Sequence, residues 1–294
     1  MQGILIVDKP QGWTSFDVIA KLRGMLATRK LGHSGTLDPM ATGVLPVFVG
    51  QSAKAVDLQL DHTKAYRATI KFGLKTDTGD ITGEVLETSE KIVAPEELQQ
   101  VLPSFLGEQM QVPPMYSAVK INGVPLYKAA REGKTVERKP RAVTFHSIKY
   151  LQQVAENEYK IEVACSKGTY IRVLAEDIGQ SLGCVATLSA LRRIRAGLWG
   201  EENAVTMETL QQLRDTQGIA AIEALLLDTE TVFTPLPMIE VKQEAFRRLL
   251  SGAPTYRFPA ADGRYRVRFE GKFVGLAQVQ EGTLLVEKLF CERG

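Results

Sequence analysis

The 23 residues from Leu31 to Ala53 carry only two ionisable side chains, those of His33 and Asp38. The glycines and prolines of this segment predict a succession of tight turns rather than a helix. Because soluble proteins usually intersperse charges over their surfaces, so neutral a segment is expected to be buried or to line a cleft. An isolated charge there is costly, so the Asp38 carboxylate needs a cationic partner or a chemical role. Pro39 disfavours the helical region for Asp38, which places this carboxylate on an extended or turn backbone.

The composition is that of an ordinary globular protein, with 294 residues that suit one large domain or a large and a small one. The three cysteines form no CxxC pair, and their odd number argues against a disulfide framework. No apolar run approaches membrane-spanning length, and the charged Asp8 and Lys9 stand too early for a secretory signal peptide. We therefore expect a cytoplasmic protein with no membrane contact.

Charge is distributed unevenly along the chain, although the net charge is only +2. The segment 120–141 contains seven Lys/Arg against two Glu, and the segment 242–272 contains eight against three acids. Between them, the segment 201–230 carries seven acids and a single arginine. Two basic segments separated by an acidic one suggest that a polyanion, RNA or DNA, is contacted at two places. A solvated surface is the alternative for either segment alone.

Hydrophobic periodicity predicts strands and helices that are not strictly interleaved, which favours an α+β fold with a mixed sheet. The predicted strands are Gly3–Val7, Tyr66–Phe72 and Tyr159–Cys165. Helices are predicted after Thr14 or Ser15 (with Phe16, Ile19, Leu22 and Leu26 as apolar positions), from Pro95 to Gly107, after Arg172 to Gly183, and after Thr206.

The last sixty residues have the pattern of a separate small module. The segment 231–237, with two prolines, is predicted to be a linker. It is followed by a helix, 243–250, and by strands at 265–269, 273–279 and 283–289, which suit a small β-barrel. We therefore predict domains at 1–232 and 238–294.

Motifs for bound cofactors and metals fail when tested against their spacing. The sequence Gly133-Lys134-Thr135 resembles the end of a phosphate-binding loop, but Lys128 stands where the earlier glycine is required. The segment 77–80 has too few spaced oxygens for a calcium loop, and the three scattered histidines offer no zinc pattern. We expect no cofactor and no metal. A lone carboxylate suits nucleophilic or acid–base catalysis.

Five segments in order resemble one family, the bacterial tRNA pseudouridine-55 synthases, or TruB family of pseudouridine synthases. The matching segments are 3–17, 32–46, Tyr66 with 76–80, 112–120, and 165–172 followed by 191–193. This resemblance implies an α+β fold with a mixed, mainly antiparallel catalytic sheet, and a small C-terminal β-barrel-like PUA domain that binds RNA. It implies an isomerase that converts uridine 55 of the tRNA TΨC loop to pseudouridine.

Asp38, Tyr66 and Arg172 match the catalytic residues of the family. The resemblance implies that Asp38 attacks the nucleotide covalently, at the base or at the sugar. Arg172 would pair with Asp38 and keep it ionised. Tyr66 would pack against the target base, with Leu191 as the apolar floor of the pocket. From the residues alone, the alternatives are a turn aspartate, a surface ion pair and ordinary core packing.

Other matching positions imply contacts with the substrate. His33 would enter the RNA loop and replace bases that are flipped out. Lys9, Pro10 and Tyr170 lie in matching segments and are expected at the substrate. Asp80 belongs either to the active-site neighbourhood or to a simple turn.

The expected partner is tRNA, contacted at its TΨC stem-loop by the insertion at about 120–141 and at its acceptor end by the C-terminal domain. We expect a monomer that requires no protein partner. Two rival functions remain open at this point. One is a guide-dependent pseudouridine synthase within a ribonucleoprotein, and the other is a non-catalytic tRNA-folding chaperone.

Overall fold

The computed structural model describes residues 1–121 and 123–291. In chain order, strands β1 to β18 are Gly3–Lys9, Leu31–His33, Thr42–Val49, Lys64–Phe72, Leu74–Thr76, Val85–Thr88, Gly107–Gln111, Lys120–Ile121, Val124–Pro125, Arg141–Ala155, Glu158–Cys165, Ala186–Ala196, Trp199–Gly200, Val205–Thr206, Met238–Glu240, Gly263–Phe269, Lys272–Gln280 and Thr283–Leu289. Helices α1 to α7 are Ser15–Met25, Pro95–Val101, Leu126–Arg131, Ile171–Ser181, Met207–Gln217, Ile219–Glu223 and Gln243–Ser251. Shorter 3-10 helices span Gly50–Leu58, Leu102–Phe105, Glu201–Asn203 and Thr229–Phe233.

A large mixed sheet forms the body of the molecule. Its hydrogen-bonded order is β14-β1-β3-β12-β4-β11-β10-β7, with β2 paired to β3 and β13 to β12. The pairs β1–β14 and β3–β12 are parallel, and the other pairs of this sheet are antiparallel. The prediction of a mixed, mainly antiparallel sheet is therefore confirmed.

Both faces of β1 are covered, which explains its continuous apolar sequence. Leu5 and Val7 pack with α1, α5 and β3, whereas Ile4 and Ile6 pack on the opposite side with aromatic residues that include Phe48. A further cluster joins α2 and α4 to strands β4, β11 and β12. The core thus continues across the sheet and holds β3, β12 and β4 side by side at its centre.

The charge-free segment is buried along most of β3, whereas Gly35, Thr36 and Pro39 are exposed, and it is less irregular than its glycines and prolines indicate. Residues 43–49 are buried within β3, which occupies an interior position of the sheet. The predicted tight turns are confined to the connection between β2 and β3, which contains Asp38. Pro46 is tolerated in the middle of β3 because β12 pairs with this strand only at Thr42 and Gly43 and β2 only from Val47 to Val49, so the ladder on that side is interrupted at Pro46.

Two further predictions from the sequence differ from the structure. Phe16, predicted on the apolar face of α1, is 64% exposed, whereas Val18 is fully buried. Helix α4 begins at Ile171, so Arg172 lies within its first turn rather than before it.

The C-terminal strands form a separate four-stranded sheet in the order β15-β16-β17-β18, with α7 packed against it. Its two edge strands are not paired with each other in the described residues, so the predicted barrel closure is not confirmed. The predicted linker is also not a free tether, because Val232 and Phe233 are buried. Phe233 stacks on Phe290, whose ring centroid lies 5.5 Å away, and Phe290 stacks on Phe273 at the same distance. The predicted boundaries 238–294 and 120–141 include residues 292–294 and 122, which lie outside the described residues.

Within the part of the chain that the structure describes, no helix has both the length and the apolarity to span a membrane.

Gly43→Ala should strongly destabilise the fold. Gly43 has φ +102°, and a Cβ atom there would lie 2.2 Å from the Arg193 carbonyl oxygen on the adjacent strand β12. Gly12→Ala is the matched control, because its φ is +83° but nothing lies within 4 Å of its Cβ position. We expect a loss of about 1–2 kcal/mol for the control, from backbone strain alone, and a clearly larger loss for Gly43→Ala in urea unfolding. Equal losses would contradict the close approach of β3 and β12.

Candidate active site

A cavity of about 580 Å³ opens where the β2–β3 connection, β4, β12 and the start of α4 meet. Five of the nine predicted site residues line it: Asp38, Tyr66, Tyr170, Arg172 and Leu191. Ser117 and Ala118, at the root of the basic insertion, complete one wall. The fold therefore brings the three predicted catalytic residues together from positions more than 130 residues apart.

Asp38 is held by the backbone of its loop rather than by its own side chain alone. The Leu37 N–H donates to Ser15 Oγ at the start of α1 (2.9 Å), and the Gly12 N–H donates to the Pro39 carbonyl (2.8 Å). The β1–α1 connection thus fixes the residues on both sides of Asp38.

Lys9 was predicted at the substrate, but in the structure it lies outside the cavity. Its side chain is fully buried, and its ammonium donates to the main-chain carbonyls of Pro10, Trp13 and Pro39. Lys9 and Pro10 are not among the residues that line the cavity. Lys9 therefore tethers the β1–α1 connection to the loop of Asp38, and its burial argues against direct contact with substrate.

Arg172 is the centre of the charged group. Its Nη2 atom lies 2.9 Å from Asp38 Oδ2, and its Nη1 atom lies 3.8 Å from Asp80 Oδ2. The same guanidinium donates to the carbonyls of Thr78 (2.7 Å) and Tyr116 (2.8 Å). The Arg172 side chain is only 4% exposed, and its guanidinium is contacted by three separate segments of the chain.

Asp80 lies behind Arg172 rather than in the cavity. It is 5% exposed and accepts hydrogen bonds at Oδ1 from Thr78 and Thr82 within its own turn. Asp80 is thus a turn residue that also faces Arg172, and a contact of Asp80 with the substrate stays a prediction.

The Asp38 carboxylate is 36% exposed, and the surface it exposes belongs to the cavity wall. Burial raises the pKa of Asp38 above its ordinary value; Arg172 lowers this pKa, Asp80 raises it and Lys9 lowers it. Arg172 favours the ionised form of Asp38, as expected, but burial has a larger and opposite effect on the pKa of Asp38. Asp38 is thus a carboxylate of increased basicity, poorly solvated and held by a single ion pair.

Tyr66 is buried on β4, and its pKa is raised, chiefly by burial. The phenol therefore stays neutral at physiological pH, with its hydroxyl beside the Arg193 guanidinium. Leu191, on the neighbouring strand β12, is 9% exposed and forms part of the same wall. The two side chains give the cavity an apolar surface next to Asp38.

Arg193 is a site residue that the sequence analysis did not assign. It is 1% exposed, lines the cavity, and donates from Nε and Nη2 to the carbonyls of Val44 and Gly35. The signal was present in the alternation of β12, because residues two apart share a face of a strand. Arg193 shares the face of Leu191, whereas Arg192 points away and forms a bidentate ion pair with Asp8 (3.0 and 2.8 Å).

His33 lies on strand β2, paired to β3, and is partly buried instead of standing at a free tip. It does not line the cavity, although the following residue, Ser34, does. Burial, together with Arg193, lowers the pKa of His33. The imidazole is therefore neutral at pH 7, at the margin of the cavity.

Among the described residues, no group of three or more His, Cys, Asp or Glu side chains is arranged to hold a metal ion. The ionisable side chains of the cavity are those of two aspartates, two tyrosines, a histidine and several cationic residues.

Comparison with known proteins decides the family. A family model described as TruB family pseudouridylate synthase (N terminal domain) matches residues 23–171, and one described as tRNA pseudouridylate synthase B C-terminal domain matches residues 172–234. A tRNA pseudouridine synthase B of Stutzerimonas stutzeri is 42% identical over 96% of this chain and 92% of that protein. One of Francisella philomiragia is 41% identical over 99% and 95%, respectively. The chain belongs to the TruB family of pseudouridylate synthases.

Solved structures agree with this family on the fold. One chain in a crystal structure of a Cbf5-Nop10-Gar1 complex superposes with a TM-score of 0.72 at 26% sequence identity. The match covers 99% of the protein described here and 85% of the Cbf5-Nop10-Gar1 chain. A structure of an H/ACA RNP bound to a substrate RNA containing 2′-deoxyuridine gives TM-score 0.72 at 24% identity, with coverage of 99% and 86%. The predicted pseudouridine-synthase fold of the large sheet is confirmed.

Arg172→Gln should raise the pKa of Asp38 further, because it removes the cation that most lowers this pKa. The carboxyl carbon resonance of Asp38, assigned by its loss in Asp38→Asn, reports the titration. Arg67→Gln is the control, since Arg67 pairs with Glu162 and Glu201 away from the cavity. An unchanged or lowered pKa in Arg172→Gln would contradict the pairing described above.

Proposed function

We propose that this protein is an isomerase, a tRNA pseudouridine synthase that converts uridine 55 in the TΨC loop of tRNA to pseudouridine. The observation that carries the proposal is the Asp38 carboxylate, paired with Arg172 in a cavity whose wall contains Tyr66 and Leu191, in a chain of the TruB family. The reaction breaks the bond from uracil N1 to ribose C1′ and forms one from uracil C5 to C1′. One proton leaves C5 and N1 gains one, so no cofactor is needed to balance the reaction.

Asp38 acts as the nucleophile in this proposal. A poorly solvated carboxylate with a raised pKa is more basic than an aspartate in water, and Arg172 keeps it ionised and oriented. The same carboxylate serves for attack on the sugar or on the base, since both are carbon electrophiles of a nucleotide that has entered the cavity. After attack, the detached uracil turns against the flat surface of Tyr66 and Leu191.

In this proposal, Tyr66 takes part in the later proton transfer from C5. Its phenol is neutral because burial raises its pKa. A neutral phenol beside a guanidinium is a very weak base, so in this proposal Tyr66 takes the C5 proton only as it passes its own hydroxyl proton to water. The phenol is neutral before and after the step, and Arg193 favours the negative charge that develops on the phenol oxygen in between.

Base flipping is required because the site lies inside a cavity. A uridine stacked within a folded loop cannot reach Asp38, and its extrusion costs a few kcal/mol. His33 lies at the cavity margin as a neutral imidazole, whose flat ring suits stacking in the space that the base vacates. Tyr170, at the cavity wall, is the third aromatic side chain proposed to contact the substrate, after Tyr66 and His33.

RNA is held by two basic surfaces in this proposal. The first is the insertion at about 120–141, whose exposed lysines include Lys128 and Lys139 and whose root at Ser117 lies at the cavity. The second is the C-terminal domain, 238–294, which we propose to be a PUA-like domain that contacts the acceptor end. The catalytic domain is then 1–232.

We further propose that the protein works in the cytoplasm as a monomer and needs no protein partner. The support is that the cavity is built within one chain, because all of the side chains named above come from the same polypeptide. tRNA is the only macromolecular partner in this proposal.

A guide-dependent enzyme and a non-catalytic chaperone are the rival functions. Their test is to mix the purified protein with an unmodified tRNA transcript and no other component. We expect pseudouridine at one site, detected by carbodiimide labelling and primer extension. Product only in the presence of a guide RNA and partner proteins would favour the guided enzyme, and tight binding without product would favour the chaperone.

Asp38→Asn should abolish turnover, by roughly a thousand-fold or more, while tRNA affinity stays within about three-fold because no phosphate contact is removed. Asp57→Asn is the matched control, since Asp57 is the other aspartate that lines the cavity. Because the pKa of Asp38 is raised, the acid limb of the wild-type rate should lie above the ordinary pKa of an aspartate. Loss of tRNA binding together with activity would make Asp38 a structural residue instead.

Neutralising exposed cations of the C-terminal domain should weaken tRNA binding without slowing the chemical step. Arg247→Gln, Arg257→Gln and Lys272→Gln alter exposed side chains and leave the Phe233–Phe290 stack intact. Each cation that contacts a phosphate should lower the salt slope of the binding constant by about 0.7–0.9. Single-turnover rates at saturating enzyme should not change, and a slower rate with normal affinity would contradict this division of roles.

A further inference from the structure

The cavity collects cationic side chains that form no ion pair. Lys64, Lys167 and Arg193 line it, and none of the three forms an ion pair within 4.0 Å among the described residues. His62 lines it too, but burial lowers the pKa of its imidazole, which is therefore neutral at pH 7. Arg172, in contrast, is compensated by Asp38 and Asp80. Asp61 acts on Lys64 without forming an ion pair with it, so the positive charge of the three cations is only partly offset.

Lys64 is the most unusual member of this group. It lies on β4 and is only 8% exposed, yet no hydrogen bond or ion pair of its ammonium is found in the described part of the chain. Burial and the nearby Arg193 lower the pKa of Lys64 to about 8, against a smaller opposing effect of Asp61. A buried amine without an acceptor is destabilising, so this position is better explained by a ligand than by folding.

Gly35 keeps the space between two of these cations open. A Cβ atom at Gly35 would lie 3.2 Å from Arg193 Nη1 and 3.4 Å from Lys64 Cε, and 3.9 Å from Lys64 Nζ. The backbone φ of +82° also favours glycine at this position. The remaining guanidinium nitrogens of Arg193, Nε and Nη2, donate to main-chain carbonyls, which fixes its charge in place.

The substrate of the proposed function supplies one group of the required charge. A uracil base is neutral, and in the proposal above it lies against Tyr66 and Leu191. Lys64 and Tyr66 are two residues apart on β4 and face the same cavity, so their backbone positions are separated by about 6.6 Å. A single nucleotide spans a distance of this order between its base and its phosphate.

We propose that Lys64, with Lys167 at the cavity rim, binds a phosphodiester adjacent to the flipped uridine, while buried Arg193 supplies a fixed positive charge behind them. The inference rests on the proposed function, because the phosphate is that of the RNA substrate. Residues 166–170, which precede helix α4, also line the cavity, so the positive end of the helix faces the same space.

This phosphate subsite gives the flipped nucleotide a second fixed point. The base alone would leave rotation about the backbone free, whereas a held phosphate limits where the ribose lies relative to Asp38. An ion pair made with the extruded nucleotide also offsets part of the cost of extrusion. Lys64 is therefore a binding residue for the extruded state rather than for the RNA stem.

The test is a cycle that combines a protein change with an RNA change. A TΨC stem-loop RNA is prepared with a single uncharged methylphosphonate at each linkage near the target uridine in turn. Binding is measured to Asp38→Asn and to Asp38→Asn/Lys64→Met, so that no turnover occurs. At one adjacent linkage, the methylphosphonate should weaken binding by roughly ten-fold when Lys64 is present and have little further effect when it is methionine.

Three further variants separate a phosphate contact from a structural role. Lys64→Arg should retain most of the affinity, whereas Lys64→Met should lower the salt slope by about 0.7–0.9. Lys149→Met, a change of an exposed lysine on β10 outside the cavity, should alter neither. Lys64→Met should not lower the midpoint of urea unfolding, because it removes a buried, unpaired charge.

Additive effects of Lys64→Met and the methylphosphonate at every linkage would overturn the inference and point to a contact with the base. A large loss of stability in Lys64→Met, with an unchanged salt slope, would overturn it in favour of a structural lysine. The result of this cycle can be told apart from the result of the test of the proposed function. Wild-type protein that makes pseudouridine while the cycle is additive refutes only the phosphate subsite, and wild-type protein that makes none refutes the function itself.

Discussion

A single buried guanidinium holds the site together. Arg172 contacts the carboxylates of Asp38 and Asp80 and the main chain at Thr78 and Tyr116. These contacts belong to segments that the sheet alone would not align: the β2–β3 connection, the turn after β5, and the root of the basic insertion. Since all of them depend on one side chain from the first turn of α4, the position of the carboxylate is coupled to the position of the surface proposed to grip RNA.

The pKa of the Asp38 carboxylate, and with it the basicity of this group, is set by two opposing effects: burial and nearby positive charge. Burial raises its pKa, and Arg172 and Lys9 act against this rise. A fully compensated carboxylate would be a weaker base and nucleophile, and without its cationic neighbours the pKa of Asp38 would rise further and favour the protonated form. Lys9 contributes without entering the cavity, because its ammonium is bound to main-chain carbonyls. The pKa of Asp38 therefore depends also on Lys9, a residue that does not line the cavity.

Local sequence patterns correctly predicted the features that depend on neighbouring residues in the chain. The charge-free segment identified Asp38, alternation identified the strand of Tyr66, and the order of the motifs identified the family. Arg193 and Lys64 were missed because their environment depends on pairings between distant strands, such as Arg193 with Gly43 and Lys64 with Cys165 and Ala196. Lys9 was assigned to the substrate for the same reason, since its carbonyl partner at Pro39 is 30 residues away. Burial of a charged side chain is a tertiary property, and a sequence pattern does not record it.

The stacked rings of Phe233, Phe273 and Phe290 have a consequence for how the proposed substrate would be selected. They join the C-terminal sheet to the body of the molecule through a buried contact, which holds this sheet at a fixed distance from Asp38. In a tRNA, the paired stem between the loop and the acceptor end has a length fixed by its number of base pairs. If the C-terminal domain binds the acceptor end as proposed, a helical arm longer or shorter than this distance would present its loop out of register with Asp38, whatever its base sequence.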